Sequence, residues 1–213
     1  MTPGMSNDPR PPLPSAERLQ SLLFEEARLG RDDMIAALLQ AGADIEAVDE
    51  KGHSSLILAS YHGHETTTDL LLSLGAAPDG VANEGNSALM GVAFKGNENI
   101  AKSLLKASAD PDHGNRAGQT ASMMAALFGR EHVIDLLLKA GANPALRAQD
   151  GNDAAALALA EKREELLPAL LQNKFSRQNH CKKLIVIKIY LSSNMRWKRE
   201  RDDWLGVLNM SLH

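Results

Sequence analysis

Glycine recurs every 33 residues in this chain, at Gly52, Gly85, Gly118 and Gly151. A second series, Gly30, Gly63, Gly96 and Gly129, keeps the same interval, and a third runs Gly42, Gly75, Ser108 and Gly141. Three registers at one spacing call for a single supersecondary unit used several times in succession, with each copy resting on its neighbours. The residues between the glycines give the unit its form. Leu70, Leu71 and Leu72 fall late in a helix that closes at Gly75, as do Leu104 and Leu105 before Ser108, and Leu136, Leu137 and Leu138 before Gly141. A left-handed residue at such a helix end satisfies the last carbonyls and turns the chain, which favours glycine there.

Within the first helix of each unit the small residues Ala59, Ala93, Ala125 and Ala126 let neighbouring helices approach closely. Leu56, Leu89, Ile100, Val133 and Ile134 supply apolar surface that one hairpin alone cannot bury. Burying one such leucine contributes about 1.5–3 kcal/mol, so stability is expected to build up between nearest neighbours along a stack. The composition, 44% hydrophobic but only 4% aromatic, suits thin layers of Ala- and Leu-rich helices better than one thick core.

Aligned on their glycines, residues 52–79 (GHSSLILASYHGHETTTDLLLSLGAAPD), 85–112 (GNSALMGVAFKGNENIAKSLLKASADPD) and 118–145 (GQTASMMAALFGREHVIDLLLKAGANPA) resemble the ankyrin repeat. That family is marked by a turn glycine, a Thr-Pro-Leu-His-like start of helix one, a Gly-His turn, and a Leu-Leu-x-x-Gly-Ala end of helix two. The resemblance covers residues 15–173 and implies an all-α solenoid of about five helix-turn-helix units: 15–47, 48–80, 81–113, 114–146 and 147–173. The first and last units depart from the pattern as capping ends do. Unit one opens at Ser15, a plausible N-cap followed by Leu19, Leu22, Leu23 and Ala27, with Ile35, Leu38 and Leu39 in its second helix; unit five puts Glu161 and Lys162 at the Gly-His turn. At the Thr-Pro-Leu-His positions stand Ser54-Ser55-Leu56-Ile57, Ser87-Ala88-Leu89-Met90 and Thr120-Ala121-Ser122-Met123. The hydroxyls are therefore expected to cap helix one without the family's histidine network. Ser108 is expected to be a strained member of a glycine column.

Residues 1–14, with five prolines and no apolar run of signal-peptide length, read as a flexible leader. One cysteine, Cys181, rules out an internal disulfide framework and a CxxC metal site, and suggests a reducing, cytoplasmic setting. Residues 174–213 carry nine Lys or Arg against three Asp or Glu, a net of +6, so the other residues carry 14 − 24 = −10. This divergent basic tail contains LIVIKIYL (184–191), too short to span a bilayer, which needs about 20 apolar residues. Three readings of it stand side by side: a loosely packed or disordered extension; a docking segment that meets an acidic partner or the chain's own acidic array through Lys182, Lys183, Arg196, Lys198 and Arg199; and a nucleic-acid or anionic-membrane contact through the same residues with Trp197 and Trp204.

No catalytic, cofactor or metal site emerges from the residues. The stretch 114–120 echoes a phosphate loop but lacks its lysine, its spacing and a preceding strand. His53, His62 and His64 lie close in sequence without carboxylates or thiolates to complete a metal site, and His64 holds the repeat's Gly-His turn position, a structural role. His180 beside Cys181 lacks a fold-positioned base, and Glu164-Glu165 and Asp32-Asp33 have the look of solvated helix positions. A non-catalytic protein-binding role, in a monomer, is the expectation that remains. The resemblance places its contacts at the turn tips and on the exposed side of helix one: Val48, Glu50, Lys51 and His53; Val81, Asn83, Glu84 and Asn86; Arg116 and Gln119; Arg147 and Gln149. The column before the turn glycine runs Arg28, Tyr61, Phe94 and Leu127 and is expected to form a stripe, serving either as partner anchors or as filler between helices.

Overall fold

The computed structural model describes residues 14–171, and the basic tail lies outside them. Its helices form five hairpins: α1 (Ala16–Leu29) with α2 (Asp32–Gln40), α3 (Ser55–His62) with α4 (Glu65–Ser73), α5 (Ala88–Lys95) with α6 (Glu98–Lys106), α7 (Ala121–Leu127) with α8 (Glu131–Lys139), and α9 (Ala154–Ala160) with a 3₁₀ turn (Glu164–Leu166) leading into α10 (Leu167–Leu170). Each first helix packs on the next, in the order α1, α3, α5, α7, α9, and the second helices form a parallel row, α2, α4, α6, α8, α10. Consecutive hairpins thus abut in chain order, the arrangement that the 33-residue period requires.

The core is a continuous file between the two rows. Ala59, Ala93, Ala125 and Ala126 are fully buried, and so, nearly, are Leu56, Leu89, Ile100, Leu104, Val133, Ile134 and Leu137. Each inner helix starts on a side-chain cap: the hydroxyls of Ser54, Ser87 and Thr120 accept from the backbone N–H of Ile57, Met90 and Met123, and Asp153 does the same for Ala156. Ser15 likewise caps α1 through the Arg18 N–H at 3.3 Å. A cap of this kind contributes about 1 kcal/mol, which matters for helices of only seven or eight residues.

The three glycine columns turn out to serve different purposes. All the members so far named have positive φ, including Ser108 at φ 67, the strained backbone expected of it. They differ in what an added Cβ would touch. In the Gly30 column the added carbon would meet a side chain of the following unit, 2.5 Å from the His64 ring at Gly30 and 2.7 Å from Arg130 at Gly96, while at Gly63 it would make only ordinary contact with Asn97 at 3.8 Å. In the Gly52 column it would run into the next turn tip, 2.5 Å from the Asn83 backbone nitrogen. In the third column, Gly42, Gly75 and Gly141 have nothing within 4 Å among the described residues. Serine is therefore admitted at 108, at the cost of backbone strain alone. Lys162, which follows Gly129 in the Gly30 column, adopts φ 57 in the last unit, where no further hairpin among the described residues presses on its Cβ.

Polar sutures replace the missing histidine network. The carboxylates of Glu46, Asp79 and Asp112, again 33 residues apart, accept from the backbone N–H of Ala77, Asp110 and Asn143 in the next unit, at 2.8, 2.8 and 2.7 Å. His64 Nε2 bonds the Arg28 carbonyl at 2.8 Å, and Arg130 Nε donates to the Phe94 carbonyl at 3.1 Å. His64 is thus the structural histidine that its turn position implied.

Candidate functional site

The inner helices and the turn tips bound an open groove of about 1130 Å³. The tips are held in register by the main chain. Asn83 N–H donates to the Lys51 carbonyl, Arg116 N–H to Glu84 and Gln149 N–H to Ala117, each linking one tip to the previous one. Short antiparallel bridges, Val48 with Ser54 and Val81 with Ser87, tie two of the tips to the helix starts below them. One wall of the groove is therefore a ladder of turns and the floor is a row of short helices.

Of the residues expected at the interface, Val48, Glu50, Lys51, His53, Tyr61, Asn86, Phe94 and Gln119 line this groove. Val81, Asn83, Glu84, Arg116, Arg147, Gln149 and Leu127 are not among its lining residues. For four of them the structure gives the reason. Asn83 Nδ2 donates to the Glu50 carbonyl at 3.0 Å and Gln149 Nε2 to the Arg116 carbonyl at 2.6 Å, so these tips spend their amides on the neighbouring unit. Arg147 is turned to its own tip, donating to the Gly151 carbonyl at 2.7 Å. Leu127 is half-buried at the end of α7. The aromatic row instead continues through Phe128, one residue later, whose ring meets Phe94 edge-on with centroids 4.4 Å apart. Adjacent Phe128 broke the 33-residue register, so column-by-column comparison passed over it.

Tyr61 is the most exposed member of the row, at 41%. Its ring lies nearly parallel to Phe94, centroids 6.3 Å apart, and Lys95 Nζ stands 4.4 Å from its centroid. It also rests against Gly91, where an added Cβ would come within 3.3 Å of Tyr61 Cδ2. A mid-helix glycine costs roughly 1 kcal/mol relative to alanine; here it leaves room for the ring. Neighbouring units carry Leu58 and Met124 at the same position, and these, with Ile57 and Met90, complete an apolar floor that sequence inspection did not pick out. Their signal was hidden because apolar residues inside a helix read as core.

At the first end of the groove, Asp49 joins unit one to the tip of unit two. Arg28 donates to its Oδ2 at 2.8 Å, His53 Nδ1 lies 3.3 Å from the same oxygen, and Oδ1 accepts from the backbone N–H of Lys51 and His53. Burial pushes the Asp49 carboxyl up, but the backbone donors His53 and Lys51 and the His53 side chain outweigh it and hold the group below the ordinary aspartate range. His62 also lines the groove, and burial first, then electrostatic repulsion from its basic neighbours His64, Arg28 and Lys95, holds its imidazole below the usual value. Among the described residues no group of His, Cys, Asp and Glu is placed to hold a metal ion, and no helix is long and apolar enough to cross a membrane.

A file of similar helical hairpins stacked in chain order beside an open, apolar-floored groove defines a helical-repeat protein. The family model described as "Ankyrin repeats (3 copies)" matches residues 23–115 and 89–182, and the chain belongs to the ankyrin repeat family. An ankyrin repeat protein of Pseudomonas aeruginosa is 40% identical over 67 residues, which amount to 31% of this chain and 39% of that relative. The alignment thus spans about two fifths of the relative's length. Ankyrin repeats are in general protein–protein interaction modules.

Proposed function

We propose that this chain is a non-catalytic protein-binding module that engages its partner through the groove, and that it acts as an adaptor, inhibitor or regulatory companion of another cytoplasmic protein. The observation that carries this reading is the exposed Tyr61 ring, seated over Gly91 beside Phe94 and Lys95 and open to the groove. A ring fixed before binding loses little entropy on contact, and aromatic side chains dominate the affinity of many interfaces. Replacing Tyr61 and Phe94 by serine, with affinity capture from lysate and thermal melting run on the same variants, tests it. Tyr61→Ser is expected to lose the captured partner with a fall in melting temperature of only a few degrees. Phe94→Ser, which removes the contact to Phe128, is expected to cost more stability. If Tyr61→Ser retains the partner at full affinity, the ring is filler between helices and the groove reading fails.

A further inference from the structure

The negative charge of the repeats is concentrated at one end of the stack. Residues 15–80, units one and two, hold 12 Asp or Glu against four Lys or Arg, a net of 4 − 12 = −8, whereas residues 81–171 hold 11 against nine, a net of −2. Two of the four cations in the first stretch are already committed within it, Arg28 to Asp49 at 2.8 Å and Arg31 to the buried Glu26 at 3.4 Å. Glu17 and Glu50 are exposed, line the groove and form no ion pair among the described residues. Among the described residues, Val48 at 54% and Tyr61 at 41% are the exposed large apolar side chains that line the groove, and both belong to unit two. The first end of the groove therefore combines unpaired carboxylates with open apolar surface.

The chain carries a segment of the matching kind. Residues 174–213, outside the described residues, have a net charge of +6, and Lys182 and Lys183 stand directly before the apolar run 184–191, which Lys188 interrupts. The segment can reach. Inner helices follow one another in chain order, and helices in contact lie about 8–10 Å apart, so the three steps from unit five back to unit two span about 24–30 Å. Crossing from the outer row, where α10 ends, to the inner one adds about 10 Å more. Leu184 comes 13 residues after Leu171, and that length of extended chain covers at most about 43–47 Å. A tethered segment is also present at its target at an effective concentration on the order of millimolar, so contacts too weak to hold two separate molecules suffice.

We propose that residues 182–191 of the chain's own tail dock on the first end of the groove, with Lys182, Lys183 and Lys188 toward Glu17 and Glu50 and the apolar run against Val48 and Tyr61. Units three to five compete poorly for the segment, since their nine cations offset most of their 11 carboxylates. The docked tail covers the ring that the protein-binding reading gives to the partner. The inference rests on that reading and adds an autoinhibitory segment that the partner displaces. Exposed ion pairs are weak and screened by salt, so a tail held in this way gives way to a partner that fits the groove better.

Cys181 is the only cysteine in the chain and stands next to Lys182, so a nitroxide attached to it reports where the segment lies. In NMR spectra of the isotope-labelled full chain at low salt, the nitroxide is expected to broaden the amide signals of Glu50, Lys51 and Tyr61 in unit two more than those of Arg116 and Ala117 in unit four. Glu17→Lys combined with Glu50→Lys is expected to abolish the broadening in unit two. Glu164→Lys combined with Glu165→Lys, the same charge change at exposed positions of the other end, is expected to preserve it. Salt at about 1 M, where the screening length falls to about 3 Å, is expected to abolish it in the natural chain, which keeps the test decisive should the charge variants unfold. Broadening confined to unit five, equal in the two double variants, or unchanged by salt overturns the inference and leaves the Tyr61→Ser capture experiment to decide the protein-binding reading by itself. Mixing nitroxide-bearing chains with isotope-labelled chains that lack the nitroxide identifies the copy involved: broadening between molecules assigns the segment to the groove of a second copy and overturns docking within one chain.

Discussion

Gly52 and Gly151 hold the same place in the repeat and nearly the same backbone, φ 79 and 83, yet alanine is expected to be far worse at the first. A left-handed alanine costs about 1–2 kcal/mol at either site. At Gly151 nothing further follows, since the added carbon meets no atom within 4 Å among the described residues. At Gly52 it would lie 2.5 Å from the Asn83 backbone nitrogen and 2.5 Å from Asn83 Oδ1, so the third tip has to move. That movement breaks or stretches two 3.0 Å hydrogen bonds, Asn83 N–H to the Lys51 carbonyl and Asn83 Nδ2 to the Glu50 carbonyl. At about 0.5–1.5 kcal/mol each, they add about 1–3 kcal/mol to the cost. A chain of this size changes its melting temperature by about 2–4 °C per kcal/mol, so Gly52→Ala should melt roughly 2–12 °C below Gly151→Ala. Circular dichroism melts of the two variants at equal concentration decide it. Equal melting temperatures would show that close approach of successive tips is no constraint, and that backbone conformation alone explains the column.

Ser108→Gly should raise the melting temperature by about 1–4 °C, because it relieves left-handed strain of about 1–2 kcal/mol, partly offset by the greater freedom of glycine in the unfolded chain; a drop would mean the serine hydroxyl has a stabilising role in the folded state. Asp79→Ala removes the acceptor for the Asp110 N–H and should cost about 1 kcal/mol in a urea titration, whereas Asp79→Asn, which keeps an oxygen, should cost about half of that. For Asp49 the folded carboxyl titrates below its unfolded value of about 3.9, so its contribution to stability is complete above about pH 4 and fades as pH falls through the lower, folded pKa. Melting curves between about pH 2.5 and 5 should therefore be steeper for the natural chain than for Asp49→Asn. Parallel curves would show that the Arg28–Asp49–His53 contact contributes nothing measurable to stability.

Much of the architecture was legible in the residues because the same physical demand recurs at a fixed spacing. Every hairpin must turn back twice, expose one side of its first helix to a neighbour and close on leucines, and those demands repeat as Gly, Ala and Leu columns. Ser54, Ser87 and Thr120 announced their caps because a hydroxyl ahead of an apolar run has few other uses. The groove was only partly legible. Tyr61 and Phe94 stood out as a column, but Met90 and Met124 looked like core and Phe128 fell one residue out of register. Asn83 and Gln149 varied from unit to unit like free contact residues, yet their amides bind the neighbouring tip.

The sequence alone determined the unit, its length, the order of stacking and the points where the backbone must turn left-handed, since each of these follows from local preferences repeated at a fixed interval. Contacts between units were decided only in three dimensions. Whether a glycine could become serine, as at 108, or lysine, as at 162, depends on whether an atom of the next hairpin occupies the space of a Cβ. Whether an amide faces a partner or a neighbouring turn, as at Asn83 and Gln149, depends in the same way on how close the carbonyls of the adjacent tip lie. Both are distances between residues some 30 positions apart, and no local rule fixes them until the hairpins are laid against one another.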